Sequence, residues 1–263
     1  MAGGIALVQG ASRGLGLQFC KHLVRSQQCT QVIATCREPQ AAAALQELKR
    51  QHPNLLTIVR LDVSSHLAIQ QCAQQVALMC GSLDLLINSA AMLHPSGKGE
   101  TSLRDVSAEG ISLALSTNTI GPLLMAKYFA PLLLKGTGAF GLQSSDRSNQ
   151  HSAILINMSA KVGSITDNGL GGWYSYRMSK AALNMATKNT SIELSRGSKK
   201  VICVSLHPGT VDTDLSRPYQ KNVPKEKLFS PELSVNYLMN VIQGLSIDQT
   251  GKFFSWNGSE IPW

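Results

Sequence analysis

Short runs of uninterrupted apolar residues alternate with longer segments of helical periodicity along almost the whole chain. Residues 5–8, Ile-Ala-Leu-Val, form the first such run. Its lack of polar alternation predicts a strand covered on both faces, as in a parallel sheet. A glycine-rich turn comes next, followed by a helix pattern ending near residue 28. Strands are expected over 31–35, 55–61, 83–87, 153–157, 201–206 and 251–256. Between them the pattern predicts helices over 41–51, 65–80, 107–134, 173–196 and 231–243. Pro53 stops the second helix, Ser64 or Ser65 offers a cap for the third, and Ser230 with Pro231 opens the last. Strands alternating with helices give an α/β fold, a doubly wound parallel sheet of about seven strands with helices on both faces.

Two stretches break this rhythm. Residues 136–152 are polar and rich in Gly and Ser, which predicts a surface loop with room to move. Residues 214–230 carry Pro218, Pro224, Lys221, Lys225 and Lys227, and follow the sixth strand directly. Ligands bind at the carboxyl ends of strands in open α/β sheets, so this stretch is a candidate lid, or else a solvated loop. No linker or charge block divides the chain, and residues 1–263 read as one domain.

Composition narrows the class. Of 263 residues, 43% are hydrophobic and 15% charged, a balance able to bury a large core and unlike that of a disordered chain. The net charge of +8 raises nucleic acid as a partner. The basic residues are dispersed and no recognition motif accompanies them, so nucleic acid is set aside. No apolar run is long enough to span a bilayer, and the start at Met1 leads into a strand without a charged leader. The six cysteines show neither a Cys-x-x-Cys pair nor a zinc-like spacing with histidine, so they are expected to be reduced, buried thiols, with no metal site. Three Asn-x-Ser sequons, beginning at Asn157, Asn189 and Asn257, would need a secretory context that nothing else supports. A cytoplasmic protein is expected.

Gly10-Ala-Ser-Arg-Gly14-Leu-Gly16 lies between the first strand and the first helix. There glycines permit a tight turn and let backbone N–H groups approach a pyrophosphate at the positive helix end, the arrangement of a Rossmann sheet. The second strand runs into Cys36-Arg37 with no carboxylate, and Arg13 sits in the glycine loop. Two guanidiniums suit the 2′-phosphate of NADP, although either could be a solvated surface arginine. Asp62 and Val63 are expected beside the adenine, with a helix cap as the other role for Asp62, and Asn88 is expected to line the same cleft. Tyr176 and Lys180 stand four apart on a helix and so share a face. An ammonium beside a phenol favours the phenolate and makes proton exchange with an alcohol oxygen feasible.

With Asn118 and Pro208-Gly209-Thr-Val-Asp-Thr213, these residues fall in the order and spacing of the short-chain dehydrogenase/reductase family, which the chain resembles over essentially its whole length. Ile156-Asn-Met-Ser159, Ser205-Leu-His-Pro-Gly209 and the ending Gly258-Ser-Glu-Ile-Pro-Trp263 are similar to the subgroup holding the sniffer-type carbonyl reductases and the bacterial C-factor proteins. The resemblance implies an NADPH-dependent oxidoreductase acting on a small carbonyl or alcohol. In it Tyr176 is the general acid, Lys180 holds the nicotinamide ribose and lowers the tyrosine pKa, and Asn118 holds a relay water. Pro208 and Gly209 pass beside the nicotinamide, Thr213 bonds its carboxamide, and Ser12, Leu15, Ala90 and Val211 complete the cofactor contacts. His94, Trp173 and Tyr219 are candidate residues around the substrate. A homodimer or homotetramer through helices 107–134 and 173–196 is the family's common assembly.

Three departures bear on activity. Gln9 replaces the usual threonine, Ala91 replaces a glycine, and Ala160 occupies the position of the serine that bonds the substrate carbonyl. Loss of one such donor costs about 2.7–4 kcal/mol. Ser159 could stand in only if the strand end bulges, since adjacent strand side chains point to opposite faces, and Ser164 could reach in from the following loop. A slow enzyme is therefore one expectation, and a catalytically weakened NADP-binding regulatory or interaction protein the other.

Overall fold

A computed structural model describes residues 3–263; Met1 and Ala2, where the reading of a leader begins, lie outside it. The strands β1 (Gly4–Gln9), β2 (Cys29–Cys36), β3 (Leu56–Arg60), β4 (Leu85–Asn88), β5 (Ala153–Met158), β6 (Val201–His207) and β9 (Phe253–Ser255) form one parallel sheet in the order β3-β2-β1-β4-β5-β6-β9. The order reverses between β1 and β4. That reversal opens a crevice at the carboxyl edge of the sheet, where ligands bind in such folds.

Strand side chains alternate between faces, so each apolar run feeds two cores. Ala6, Val8, Leu85, Ile87, Ile154, Ile156, Ile202 and Val204 pack under α1 (Gly14–Arg25), α2 (Ala43–Gln51) and α7 (Pro231–Gln243). Leu7, Leu86, Leu155 and Cys203 pack on the other face with α3 (His66–Met79) and α5 (Gly121–Leu133). The helix α6 (Tyr174–Leu194) lies against β6 and α5. All six cysteines are free and buried. Ser65 caps α3 by accepting the Ala68 N–H, and Ser230 caps α7, both at expected positions.

The expected helix over 107–134 is continuous but changes its winding part-way. It runs as α4 (Ala108–Leu115), a wider π turn over Ser116–Ile120, and then α5. Pro122 has no N–H to give to the carbonyl four residues back, and the turn widens so that Gly121 donates to Ser116, five back. The loop over 136–152 is more tied down than its composition suggested. Phe140 is buried in the core, Thr137 bonds Asp84, and the Leu142 N–H donates to Leu245. At the foot of the candidate lid, β7 (Thr210–Val211), just before it, pairs with β8 (Leu228–Phe229) near its end. This parallel pair closes the base of the 214–230 excursion, and no sequence pattern announced it.

Among the described residues, no helix is long and apolar enough to cross a membrane, and no cluster of three His, Cys, Asp or Glu is placed to hold a metal. The outward faces of α4–α6 leave Leu113, Ile120, Leu123, Met178, Met185 and Ile192 exposed. On α6 these fall seven residues apart, as a stripe.

Candidate active site

At the switch point, β1 hands over to the glycine loop. Gly10 has φ +82°, and the N–H groups of Gly10 and Ala11 both donate to Thr35 of the neighbouring strand. A side chain on Gly10 would lie 2.6 Å from the Ala90 nitrogen, and one on Gly16 would lie 2.1 Å from the Gly10 carbonyl. Both glycines are therefore demanded by close backbone packing. Gln9, the departure from the family pattern, accepts the Ala90 N–H and ties the loop after β4 to the glycine turn. Arg13, at the cap position of α1, makes no side-chain capping bond. The first-turn N–H groups thus remain available to an anion.

This turn forms one end of a cavity of about 860 Å³. Ser12, Arg13, Gly14, Leu15, Gly16, Arg37, Asp62, Val63 and Ala90 line that end. Arg13 lies 3.6 Å from Asp214 at the start of the lid, which also pairs with Arg217 at 2.9 Å. Burial pushes the Asp62 carboxyl up, but the Ser64 hydroxyl and N–H, then Arg37 and Arg60, hold it below its ordinary value. Asp62 is therefore a charged group facing the cleft and not the cap of α3. Asn88 is placed otherwise than expected. Its side chain does not line the cavity but donates to Asn157 on the adjacent strand, which donates on to Thr187 of α6. The register puts Asn88 and Asn157 side by side, so their side chains pair within the sheet.

Tyr176 and Lys180 line the far end of the same cavity and are 6% and 1% exposed. Lys180 donates to the Met158 carbonyl at 2.8 Å, and its Nζ sits 5.7 Å from the Tyr176 ring centre. The sequence suggested that the ammonium would lower the tyrosine pKa. Instead burial, then the neighbouring Tyr219, push the Tyr176 phenol far up, and burial brings Lys180 down to about 7. In so dry a site desolvation outweighs the pairing. The phenol keeps its proton, which is the state a general acid needs.

A testable consequence concerns stability. Lys180 ordinarily titrates at 10.5, so between that value and about 7 the unfolded chain binds the extra proton. This residue accordingly makes the fold more stable as pH rises through that window, and burdens it most at and below pH 7. Lys180→Met should raise stability at neutral pH and flatten its rise up to about pH 9, where the other phenols and thiols begin to titrate. Urea midpoints across that range measure it.

Asn118 sits on the π turn, where its side chain accepts the Met92 N–H and donates to the Met92 carbonyl and the Ser179 hydroxyl. It is buried and positions the loop after β4 against α6. Pro208, Gly209, Val211 and Thr213 also line the cavity, Thr213 beside Gly14 of the glycine turn and Gly209 at φ +79° and packed on Phe229. Ala160 faces the cavity with extended backbone, φ −149° and ψ 146°. Ser159 donates to Asn184, and Ser164, buried outside the lining, accepts the Asp167 N–H. Ser159 itself lines the cavity beside Ala160, with its hydroxyl proton held by Asn184.

Trp173 and Tyr219 pack as a tilted pair, ring centres 4.8 Å apart and planes at 52°, and Trp173 meets the Tyr176 ring edge-on at 6.3 Å. Trp173 holds left-handed dihedrals, φ 49° and ψ 45°, which a bulky residue adopts only when its surroundings impose them. His94 lines the same wall. Sequence reasoning missed Glu100, a buried carboxylate that receives two bonds from Ser175. A lone Glu in a polar loop carries no periodic signal.

The short chain dehydrogenase family profile matches residues 4–224. The chain belongs to that family. Among solved structures, this family member is similar to an NADPH-bound carbonyl reductase from chicken fatty liver, with 35% identity, all of both chains covered and a TM-score of 0.86. It is also similar to the carbonyl reductase Sniffer of D. melanogaster, at 31% identity and a TM-score of 0.86, again over the whole of both chains. The C-signal protein of Myxococcus xanthus is 33% identical over 183 residues, 70% of this chain and 94% of that protein. Both kinds of protein in the subgroup expected from the sequence are thus represented. The chain is a short chain dehydrogenase oxidoreductase whose sheet order and glycine turn match that assignment.

Proposed function

We propose that the protein is an NADPH-dependent reductase of small carbonyl compounds. The observation that carries this reading is a single cavity with a dry Tyr176–Lys180 pair at one end and an uncapped helix start with Arg13 and Arg37 at the other. A volume of about 860 Å³ lies toward the upper end of ligand cavities, roughly 300–1,000 Å³, and gives a dinucleotide and a small substrate room to share it. The similarity to an NADPH-bound carbonyl reductase supports both cofactor and substrate class.

NADPH, when bound, supplies a hydride to the carbonyl carbon. The first-turn N–H groups of α1, from Gly14 to Gly16, would hold its pyrophosphate, and Arg13 with Arg37 its 2′-phosphate. Val63 and Ala90 would flank the adenosine half, while Pro208, Gly209, Val211 and Thr213 would bound the nicotinamide half. Tyr176 donates its retained proton to the carbonyl oxygen, and Lys180, titrating near neutrality, restores it. Trp173, Tyr219 and the 214–230 lid keep water from that end. Residues 1–263 then act as one catalytic unit.

Nucleotide titration followed by cofactor fluorescence tests this assignment. NADPH should bind more tightly than NADH, and Arg37→Ala should weaken NADPH alone. Charge-assisted bonds of about 1.5–3 kcal/mol imply roughly a ten- to hundredfold loss. Equal affinities for the two cofactors would overturn the reading of the arginines. Ala160 favours a second reading, a nucleotide-binding protein whose turnover has been weakened, because it carries no hydroxyl and the Ser159 and Ser164 hydroxyls are engaged with Asn184 and the Asp167 N–H.

A further inference from the structure

The helix that carries Tyr176 and Lys180 begins without a cap of its own. Trp173, at the cap position, offers no side-chain acceptor. The open N–H groups are met from the loop between β4 and α4. The Glu100 carbonyl accepts the Trp173 N–H at 2.6 Å, and Glu100 Oε1 accepts the Ser175 N–H at 3.0 Å and the Ser175 hydroxyl. Glu100 is 3% exposed and Ser175 is wholly buried. Burial pushes the carboxyl up, but the Ser175 hydroxyl, backbone N–H groups and His94 together hold it below its ordinary value, so it is charged. A negative charge at a helix N-terminus, where donors are unsatisfied, is favourably placed.

The packing around this contact leaves little play. A Cβ on Gly99 would lie 2.5 Å from Trp173 Cδ1, so the loop backbone lies directly on the indole. His94, on the cavity wall, brings Nε2 to 3.9 Å from Glu100 Oε1 and is wedged beneath α4, where a Cβ on Gly110 would meet it at 2.3 Å. Glu100 Oε2 and His94 Nε2 are both buried without another partner. Glu100 thus joins three points: its carboxylate reaches His94 on the cavity wall and Ser175, the residue directly before Tyr176, while its backbone carbonyl holds the strained Trp173.

We propose that Glu100 is a positioning residue for Tyr176, a cap supplied from the β4–α4 loop that fixes the first turn of the catalytic helix against the substrate wall. The inference rests on the reductase reading of the site. A general acid works only within hydrogen-bond reach of the atom it protonates, and a displacement of about 1 Å can cost on the order of a hundredfold in rate. The first turn of α6 is where Glu100 acts, whereas the glycine loop and the arginines lie at the other end of the cavity.

The test compares Glu100→Ala, Glu100→Gln and Ser175→Ala by steady-state kinetics, NADPH affinity and amide hydrogen exchange. Glu100→Ala should lower kcat by roughly ten- to a hundredfold, with KM and NADPH affinity unchanged. Glu100→Gln keeps an acceptor oxygen and should recover most of that loss, while Ser175→Ala should lose part of kcat. Exchange at the Ser175 and Tyr176 amides should quicken in Glu100→Ala, while amides of the later turns of α6 keep their protection. Unaltered kcat in Glu100→Ala, or NADPH affinity falling in step with kcat, would overturn the proposal, as would a Gln variant no better than Ala. If even the natural chain turns nothing over, the reductase reading has failed. Hydrogen exchange then still judges Glu100, because unchanged protection at Ser175 in Glu100→Ala refutes the cap.

Discussion

Tyr176→Phe is expected to reduce carbonyl turnover by about 10²–10⁴-fold, the contribution of a positioned general acid. The phenol is buried and burial keeps it protonated, so removing the hydroxyl takes away the proton source without unmasking a charge. Its ring still packs edge-on against Trp173, and NADPH affinity and thermal stability should stay near those of the natural chain. Single-turnover rates with NADPH and an aldehyde, beside a binding titration, separate the two effects. A parallel loss of cofactor affinity would show that Tyr176 acts through the fold and not through the proton.

Ala160→Ser should act in the opposite direction. Ala160 faces the cavity with an extended backbone that serine adopts freely, and it is only partly buried, so a new hydroxyl meets no desolvation penalty. Restoring one donor to the developing oxyanion is worth about 2.7–4 kcal/mol, a gain of up to roughly 10²–10³ in kcat. The gain should appear in kcat with little change in NADPH affinity. No gain would mean that the carbonyl oxygen does not lie beside this position, or that the natural chain already supplies a donor from elsewhere on the wall.

Much of this architecture was visible in the residues themselves. Continuous apolar strands such as Ile5–Val8 declared their burial on both faces, and the glycine turn declared the helix start, because sterics leave those positions few alternatives. Tyr176 and Lys180 share a cavity because four residues make about one helical turn. Less local facts were hidden. Asn88 pairs with Asn157 because the two strands lie in register, a relation between residues 69 apart that no window of sequence contains. The reversal of pKa logic at Tyr176 and Lys180 comes from burial, which depends on the whole packed site. Pro122 was in plain view, yet its effect depended on the helix choosing a wider turn over a break.

The central claim is that this cavity couples NADPH oxidation to carbonyl reduction through Tyr176. Its most direct test is the loss of reduced-nicotinamide absorbance, measured against alcohol formed, with purified protein and a panel of aldehydes, ketones and quinones. The account predicts one alcohol for each NADPH consumed, a faster reaction in Ala160→Ser, and almost none in Tyr176→Phe. Tight NADPH binding with no carbonyl reduced by either the natural chain or Ala160→Ser would contradict it, and would leave a nucleotide-binding protein that has kept the fold without the chemistry.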